Sequence, residues 1–305
     1  MKTRIISDKL LLKPEDIKPI YKNTKVIGVF NPALTKINNK ILLIARVTEQ
    51  FKKKKHYISW LLPIELDSET LEIKKIYYKK AILPKRTLQE YGIEDPRITK
   101  INNKLYMTVI GYSEHKVCTY FYELNPKTLN YKIKSLIFDH INKNVVIFPK
   151  KINGRYVALT RPSSRFINLA YSKDLLYWKP SEFIIAHTEK GTKINERIGA
   201  GPPPILTSKG WLQLIHGVEH RKNHPTGYYR MYALLLNKTK PYKIIKRPKQ
   251  PVLEANPKLD KQIKHPYIKK GVVFTTGLIK HKNHFLLASG ELDTALRLTE
   301  LDINI

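Results

Sequence analysis

The chain has 305 residues, enough to bury a substantial core as one large domain or two smaller ones, and its 42% hydrophobic content excludes a disordered protein. A single cysteine, Cys118, excludes an intrachain disulfide framework and fits a reducing compartment, so a cytoplasmic protein is expected. The 56 Lys and Arg residues outweigh 25 Asp and Glu, for a formal charge of +31. These lysines are scattered along the whole chain, with the densest run at Lys52–Lys55. No RNA-binding, zinc-finger or helix-turn-helix pattern organises them, so they read as solvated faces and a nucleic-acid partner is not expected. Their field would still draw in anions such as inorganic phosphate.

In chain order, the opening MKTRIISDKLLLKPED has one short apolar run, broken at Lys13 and Pro14, too little for a signal-peptide core. Residues 1 to about 25 read as a short N-terminal extension. No apolar stretch reaches the length of a membrane-spanning helix, and no membrane partner is expected. The string Thr-Lys-Ile-Asn-Asn-Lys then occurs at Thr35–Lys40 and again at Thr99–Lys104, each time joining two apolar runs through an Asn-Asn turn. The same pattern returns with turns at Asn153-Gly154, Lys209-Gly210 and near Lys282-Asn283. Successive turns lie roughly 50 to 75 residues apart, room for a four-stranded sheet and its connections. Five such units predict an all-β fold, a five-bladed β-propeller forming a single domain over 1–305. A two-sheet sandwich is the alternative, but it gives no reason for one hairpin pattern to keep returning.

The repeat also locates a site. Asn31 and Asp95 stand shortly before their turns, Arg46, Arg161 and His216 shortly after theirs, and Asp293 slightly further on. Strand positions running toward a propeller axis normally carry apolar side chains, so polar ones at equivalent places predict a shared pocket. In Gly92-Ile93-Glu94-Asp95-Pro96-Arg97, adjacent carboxylates on a strand face opposite ways, and Arg97 should share a face with Asp95. A structural Asp–Arg pair is an equal reading of the residues alone. Lys143, Asn144, Arg161, Arg197 and His216 are anion-binding types drawn from different units. Gly199-Ala200-Gly201 is followed by three prolines, which forbid the helix of a dinucleotide site. His216, His220 and His224 have helical spacing but sit in a strand context; no metal and no cofactor are expected.

These segments resemble glycoside hydrolase family 130, the β-mannoside phosphorylases and related β-mannosidases. The likeness runs from about Asn31 to Asp293 through GIEDPRIT, KNVVIFPKKINGRYVALTRP, RIGAGPPPILTSKGWLQLIHGV, Tyr228-Tyr229-Arg230 and GVVFTTG with ASGELDT. It implies a five-bladed propeller that uses phosphate to cleave β-mannosides with inversion, reversibly giving α-mannose 1-phosphate. By that resemblance Asp95 is the sole catalytic acid, thought to act through a sugar hydroxyl. Asn31, Arg46, Glu94, Arg97 and Asp293 surround the sugar, while Lys143, Asn144, Arg161, Arg197, His216 and Tyr228 hold phosphate. The partners implied are a mannoside, or mannose 1-phosphate with an acceptor sugar, and inorganic phosphate. The sequence leaves a homo-oligomer open. Arg197 stands where the family often has Lys, and TEQFKKKKHYISWLLPIELDS is an atypical segment on the acceptor side. Two alternatives remain: a β-mannosidase or mannosyltransferase on the same scaffold, and a non-catalytic carbohydrate- or nucleic-acid-binding propeller.

Overall fold

The computed structural model describes residues 2–53, 56–222 and 224–304, and its secondary structure is almost all antiparallel strand. Of the basic run Lys52–Lys55, Lys52 and Lys53 are exposed, while Lys54 and Lys55 lie outside the described residues. After β1 (Lys2–Leu12), a first meander comprises β2 (Thr24–Ile37), β3 (Lys40–Phe51), β4 (Tyr57–Leu66) and β5 (Ile73–Ile76). The second is β6 (Gly92–Ile101), β7 (Lys104–Tyr112), β8 (Val117–Leu124) and β9 (Tyr131–Phe138). It joins the first through one parallel pairing, Ser59 with Gly92, so the two count as one eight-stranded sheet. The third is β10 (Lys143–Ile147), β11 (Tyr156–Ser163), β12 (Phe166–Ser172) and β13 (Lys179–His187). The fourth is β14 (Arg197–Ala200), β15 (Ile205–Leu206), β16 (Trp211–Arg221), β17 (His224–Leu236) and β18 (Ile244–Lys246). A short helix, α1 (Pro257–Asp260), precedes β19 (Val273–His281), β20 (His284–Glu291) and β21 (Ala295–Asn304).

One expectation is corrected here. Residues 2–12 are not an extension: β1 pairs antiparallel with β21 and completes a four-stranded sheet, β1-β21-β20-β19. The N-terminal strand thus joins the C-terminal meander, held by the Asp8 carboxylate, which accepts two hydrogen bonds of 2.7 Å from Arg297.

All five predicted turns form, and each holds a residue in the left-handed region: Asn38, Asn102 with Asn103, Asn153 with Gly154, Gly210, and Lys282. Asn and Gly accept that backbone at low cost, which is why the sequence closes its hairpins there. The inner strands read as long apolar runs, as in Ile41–Ala45, because neighbouring layers cover both of their faces. Apolar clusters link consecutive meanders: Ile44 and Leu61 with Ile98 and Met107, then Phe121 with Ile147 and Ala158. Leu159 and Ile167 pack with Ile215 and Leu234, and Leu212 and Met231 with Val273 and Leu287. Leu286 and Leu296 finally meet Val29, Leu43 and Trp60, bringing the last meander back to the first. Each such side chain contributes about 1.5–3 kcal/mol of transfer free energy.

Candidate active site

The first strands of three meanders carry the same irregularity. Pairing slips between Phe30 and Ala33 on β2, between Glu94 and Arg97 on β6, and between Lys143 and Val146 on β10. Inside each slip one polar residue sits in the left-handed region: Asn31 (φ +46°), Asp95 (φ +49°) and Asn144 (φ +57°). A bulge of this kind re-aims a side chain away from the alternation of its strand, and Asn and Asp tolerate the backbone it needs. All three residues line one cavity of about 320 Å³.

Asp95 lies at the centre of its hydrogen bonds. Asn31 Nδ2 donates to Asp95 Oδ1 at 2.9 Å and Arg46 Nη1 donates to the same oxygen at 3.2 Å. Arg46 Nη2 reaches Glu94 Oε1 at 2.7 Å, its Nε reaches Ser59 Oγ at 3.2 Å, and its guanidinium lies over the Phe30 ring. Burial alone would push the Asp95 carboxyl up; Arg46, Arg97 and the Asn31 amide outweigh it and hold it below the ordinary aspartate range. Glu94 goes the other way, because burial exceeds the pull of Arg46 and the neighbouring Asp95 adds to the upward push.

Across the cavity the charges are positive. Arg161, Arg197, Lys143 and the buried His216 line it, and among the described residues no carboxylate pairs with the Arg161 guanidinium. Arg197 Nη2 contacts Glu196 at 2.7 Å and the Thr226 carbonyl at 3.1 Å, while its Nε is buried without a protein partner. His216 Nδ1 is also buried without one. The His216 ring stacks on Tyr229 at 5.8 Å and meets Phe274 edge-on at 4.8 Å. Burial, then Arg161, Arg97 and Arg197, depress its pKa well below the ordinary histidine value, so the imidazole is neutral. Burial also lowers the Arg161 pKa. Gly199 makes this close approach possible: a Cβ there would sit 2.4 Å from the His216 ring and 2.5 Å from Asn144 Nδ2.

Ten of the sequence-predicted residues therefore meet in one cavity: Asn31, Arg46, Glu94, Asp95, Lys143, Asn144, Arg161, Arg197, His216 and Asp293. Two do not line it. Arg97 was expected to share a face with Asp95, but the bulge shifts the alternation and buries it beneath. There it donates to the Asp95 carbonyl (2.9 Å), Asn144 Oδ1 (2.9 Å) and the Gly201 carbonyl (2.8 Å), and burial pushes its pKa down to about 10. Tyr228 points to the other face of β17, where its ring packs against Arg221, Arg230 and His224. Its neighbour Tyr229 occupies the cavity wall, with Arg197 over its ring at 5.6 Å. Tyr57, Tyr112, Lys269 and Phe274 also line the cavity and were not singled out. Phe274 was traceable, because Val273-Phe274 repeats the Val29-Phe30 that precedes Asn31. Lys269 Nζ pairs with Asp293 Oδ2 at 2.5 Å.

A cavity with hydrogen-bonded carboxylates on one side and cationic donors on the other, the Arg161 guanidinium without a carboxylate partner among the described residues, can hold a neutral polyol beside an anion. The comparisons agree with that chemistry. The profile described as beta-1,4-mannooligosaccharide phosphorylase matches residues 5–305. A 1,2-β-oligomannan phosphorylase of Thermoanaerobacter sp. (strain X514) is 30% identical over 311 residues, covering 99% of this chain and 98% of its own. A β-1,2-mannobiose phosphorylase of Listeria innocua serovar 6a is 29% identical over 350 residues, covering 96% and 94%. The solved structure of a β-1,2-mannobiose phosphorylase from Listeria innocua, in complex with β-1,2-mannobiose, superposes with a TM-score of 0.83 at 26% identity. That match covers 97% of this chain and 94% of that one. With all the motifs of the site inside a match that spans nearly its whole length, this chain belongs to glycoside hydrolase family 130, the β-1,4-mannooligosaccharide phosphorylase family.

Proposed function

We propose that the protein is an inverting β-mannoside phosphorylase, a single-domain five-bladed propeller whose blades are the five meanders and whose axis carries the cavity. The cyclic order of the apolar clusters and the return of β1 to β21 support the ring. The relatives matched over most of their length are named for β-1,2-linked mannosides, which supports that linkage here. The single buried cysteine supports a reducing compartment such as the cytoplasm.

The observation that carries the reading is the basic cluster opposite Asp95, in which the Arg161 guanidinium has no carboxylate partner among the described residues and Arg197 Nε has no protein partner. Phosphate held by Arg161, Arg197, Lys143, Asn144 and the neutral His216, with Tyr229 as wall, is placed to attack the anomeric carbon from the far side of the sugar. Asn31, Arg46, Glu94 and Asp293 surround the mannosyl ring, and Asp95 supplies the proton for the leaving oxygen. Asp95 is ionised in the free protein. A bound phosphate offsets the cationic field, and the sugar excludes water, so both raise its proton affinity in the ternary complex. The balance closes without a separate base: hydrogen phosphate forms the new C–O bond, the alcohol leaves with the proton of Asp95, and the phosphate group's proton restores Asp95. A hydrolase would need a second carboxylate free to take a proton from water. Glu94 and Asp293 are instead tied to Arg46 and Lys269.

Arg161→Ala, compared with the exposed control Lys53→Ala across a phosphate titration, tests this assignment. Charge-assisted hydrogen bonds contribute about 1.5–3 kcal/mol, so Arg161→Ala should weaken phosphate use roughly 10- to 150-fold and be partly rescued by high phosphate. Lys53→Ala should change little. Equal phosphate dependence in the two variants would reject the cluster as the phosphate site.

A further inference from the structure

Four aromatic side chains run outward from the cavity at the junction of the first and second meanders. Tyr57 and Tyr112 line the cavity itself. The Tyr91 ring lies 5.6 Å from Tyr112, and the His56 ring stacks on Tyr91 at 6.2 Å with an interplanar angle of 9°. The backbone fixes this row: Tyr91 donates its N–H to the Tyr112 carbonyl at 2.8 Å, and its own carbonyl accepts the Ser59 N–H at 3.1 Å. None of the four belongs to a core cluster among the described residues; His56 is exposed and Tyr57 is 37% exposed. Core packing does not account for this connected row, in which Tyr91 and Tyr112 are half-buried, His56 and Tyr57 are exposed, and Lys143 Nζ lies over the Tyr112 ring at 5.6 Å. Glu90 and Glu114 stand close enough to Tyr91 to act on it electrostatically, and they offer acceptors for hydroxyl groups.

The direction of the row matters. Resting on the phosphorylase reading, inversion requires the leaving chain to depart on the side away from the attacking phosphate. The phosphate cluster is drawn mainly from the third and fourth meanders, whereas the aromatic row stands at the junction of the first and second. Apolar ring faces stack on the C–H faces of sugars while phenol and imidazole edges reach their hydroxyls. We propose that Tyr112, Tyr91 and His56 bind the leaving mannoside beyond its first sugar, so that the protein favours chains of three or more units over the disaccharide.

The test is phosphorolysis of β-1,2-linked mannobiose, mannotriose and mannotetraose by the wild type, Tyr91→Ala and Tyr91→Phe, with calorimetric binding of mannotriose to each. The wild-type KM should fall from two to three mannosyl units. Tyr91→Ala should raise the KM for mannotriose about three- to tenfold more than that for mannobiose, and Tyr91→Phe should keep the wild-type preference. An unchanged ratio of the two KM values in Tyr91→Ala would overturn the proposal. If no mannoside is phosphorolysed, calorimetry separates the claims: Tyr91-dependent mannotriose binding keeps the platform and rejects the phosphorylase, and Tyr91-independent binding, or none, rejects the platform. Should Tyr91→Ala fail to fold, His56→Ala carries the same comparison at an exposed ring.

Discussion

Asp95 owes its place in the cavity to its backbone as much as to its carboxylate. In a regular strand Glu94 and Asp95 would face opposite sides, and Arg97 would repeat the orientation of Asp95. The bulge breaks that rule, and Pro96, having no N–H to leave unpaired, suits the interrupted ladder. The residue types of the site were legible in the sequence because polar side chains at equivalent positions of a repeat are anomalous. Their final directions were not, because a one-residue slip reverses a face. Arg97 was misplaced for that reason; Tyr228, expected from the family resemblance, lies one residue before Tyr229 in a regular stretch of strand and so faces the other way. Asp95→Asn is nearly isosteric and can still accept the Asn31 and Arg46 hydrogen bonds, so the fold and its melting temperature should hold. Turnover on a substrate with a poor leaving group should drop ~10²–10⁴-fold, the usual cost of losing a general acid. Near-normal turnover in that variant would remove Asp95 from the chemistry, and unfolding would favour a structural carboxylate.

At the scale of elements, the hairpins were the most legible feature, since Asn-Asn, Asn-Gly and Lys-Gly turns are written by backbone preference alone. β1 was the least. Its first six residues, Lys2–Ser7, are exposed and carry no clean alternation, and its place is set by partners almost 300 positions away in sequence. That junction contains a buried network: Arg297 contacts Asp8 and, at 2.7 Å, Glu291 Oε2. Burial pushes the Glu291 carboxyl up to about 8 against the pull of Arg297, with Asp260 acting in the same upward direction. A raised acid pKa means that the fold favours the protonated form. Its stabilisation is full below the ordinary glutamate range and is lost as pH rises through about 8. The urea midpoint of the wild type should therefore fall between about pH 5 and about pH 9, and Glu291→Gln, which cannot ionise, should show a smaller fall. The same fall in both proteins would mean that Glu291 titrates normally.

At the scale of the whole molecule, five similar meanders, each packed on the next through apolar clusters, bring three or four residues apiece to one cavity. A site assembled this way needs few residues per unit, and for that reason a repeat in the sequence pointed to it. The net charge of +31 reads differently at this scale. Most lysines are surface, but Arg46, Lys143, Arg161, Arg197 and Lys269 converge on a cavity with three carboxylates, Glu94, Asp95 and Asp293. That local excess of cations carries the proposed reading of the cavity as a site for phosphate beside sugar. It is tested most directly by following β-1,2-mannobiose with the purified protein, with and without phosphate, while resolving the anomers of the product by NMR. The account predicts α-mannose 1-phosphate and mannose in equal amounts when phosphate is present, and negligible cleavage when it is absent. Equal release of free mannose in both conditions, with no sugar phosphate formed, would contradict it.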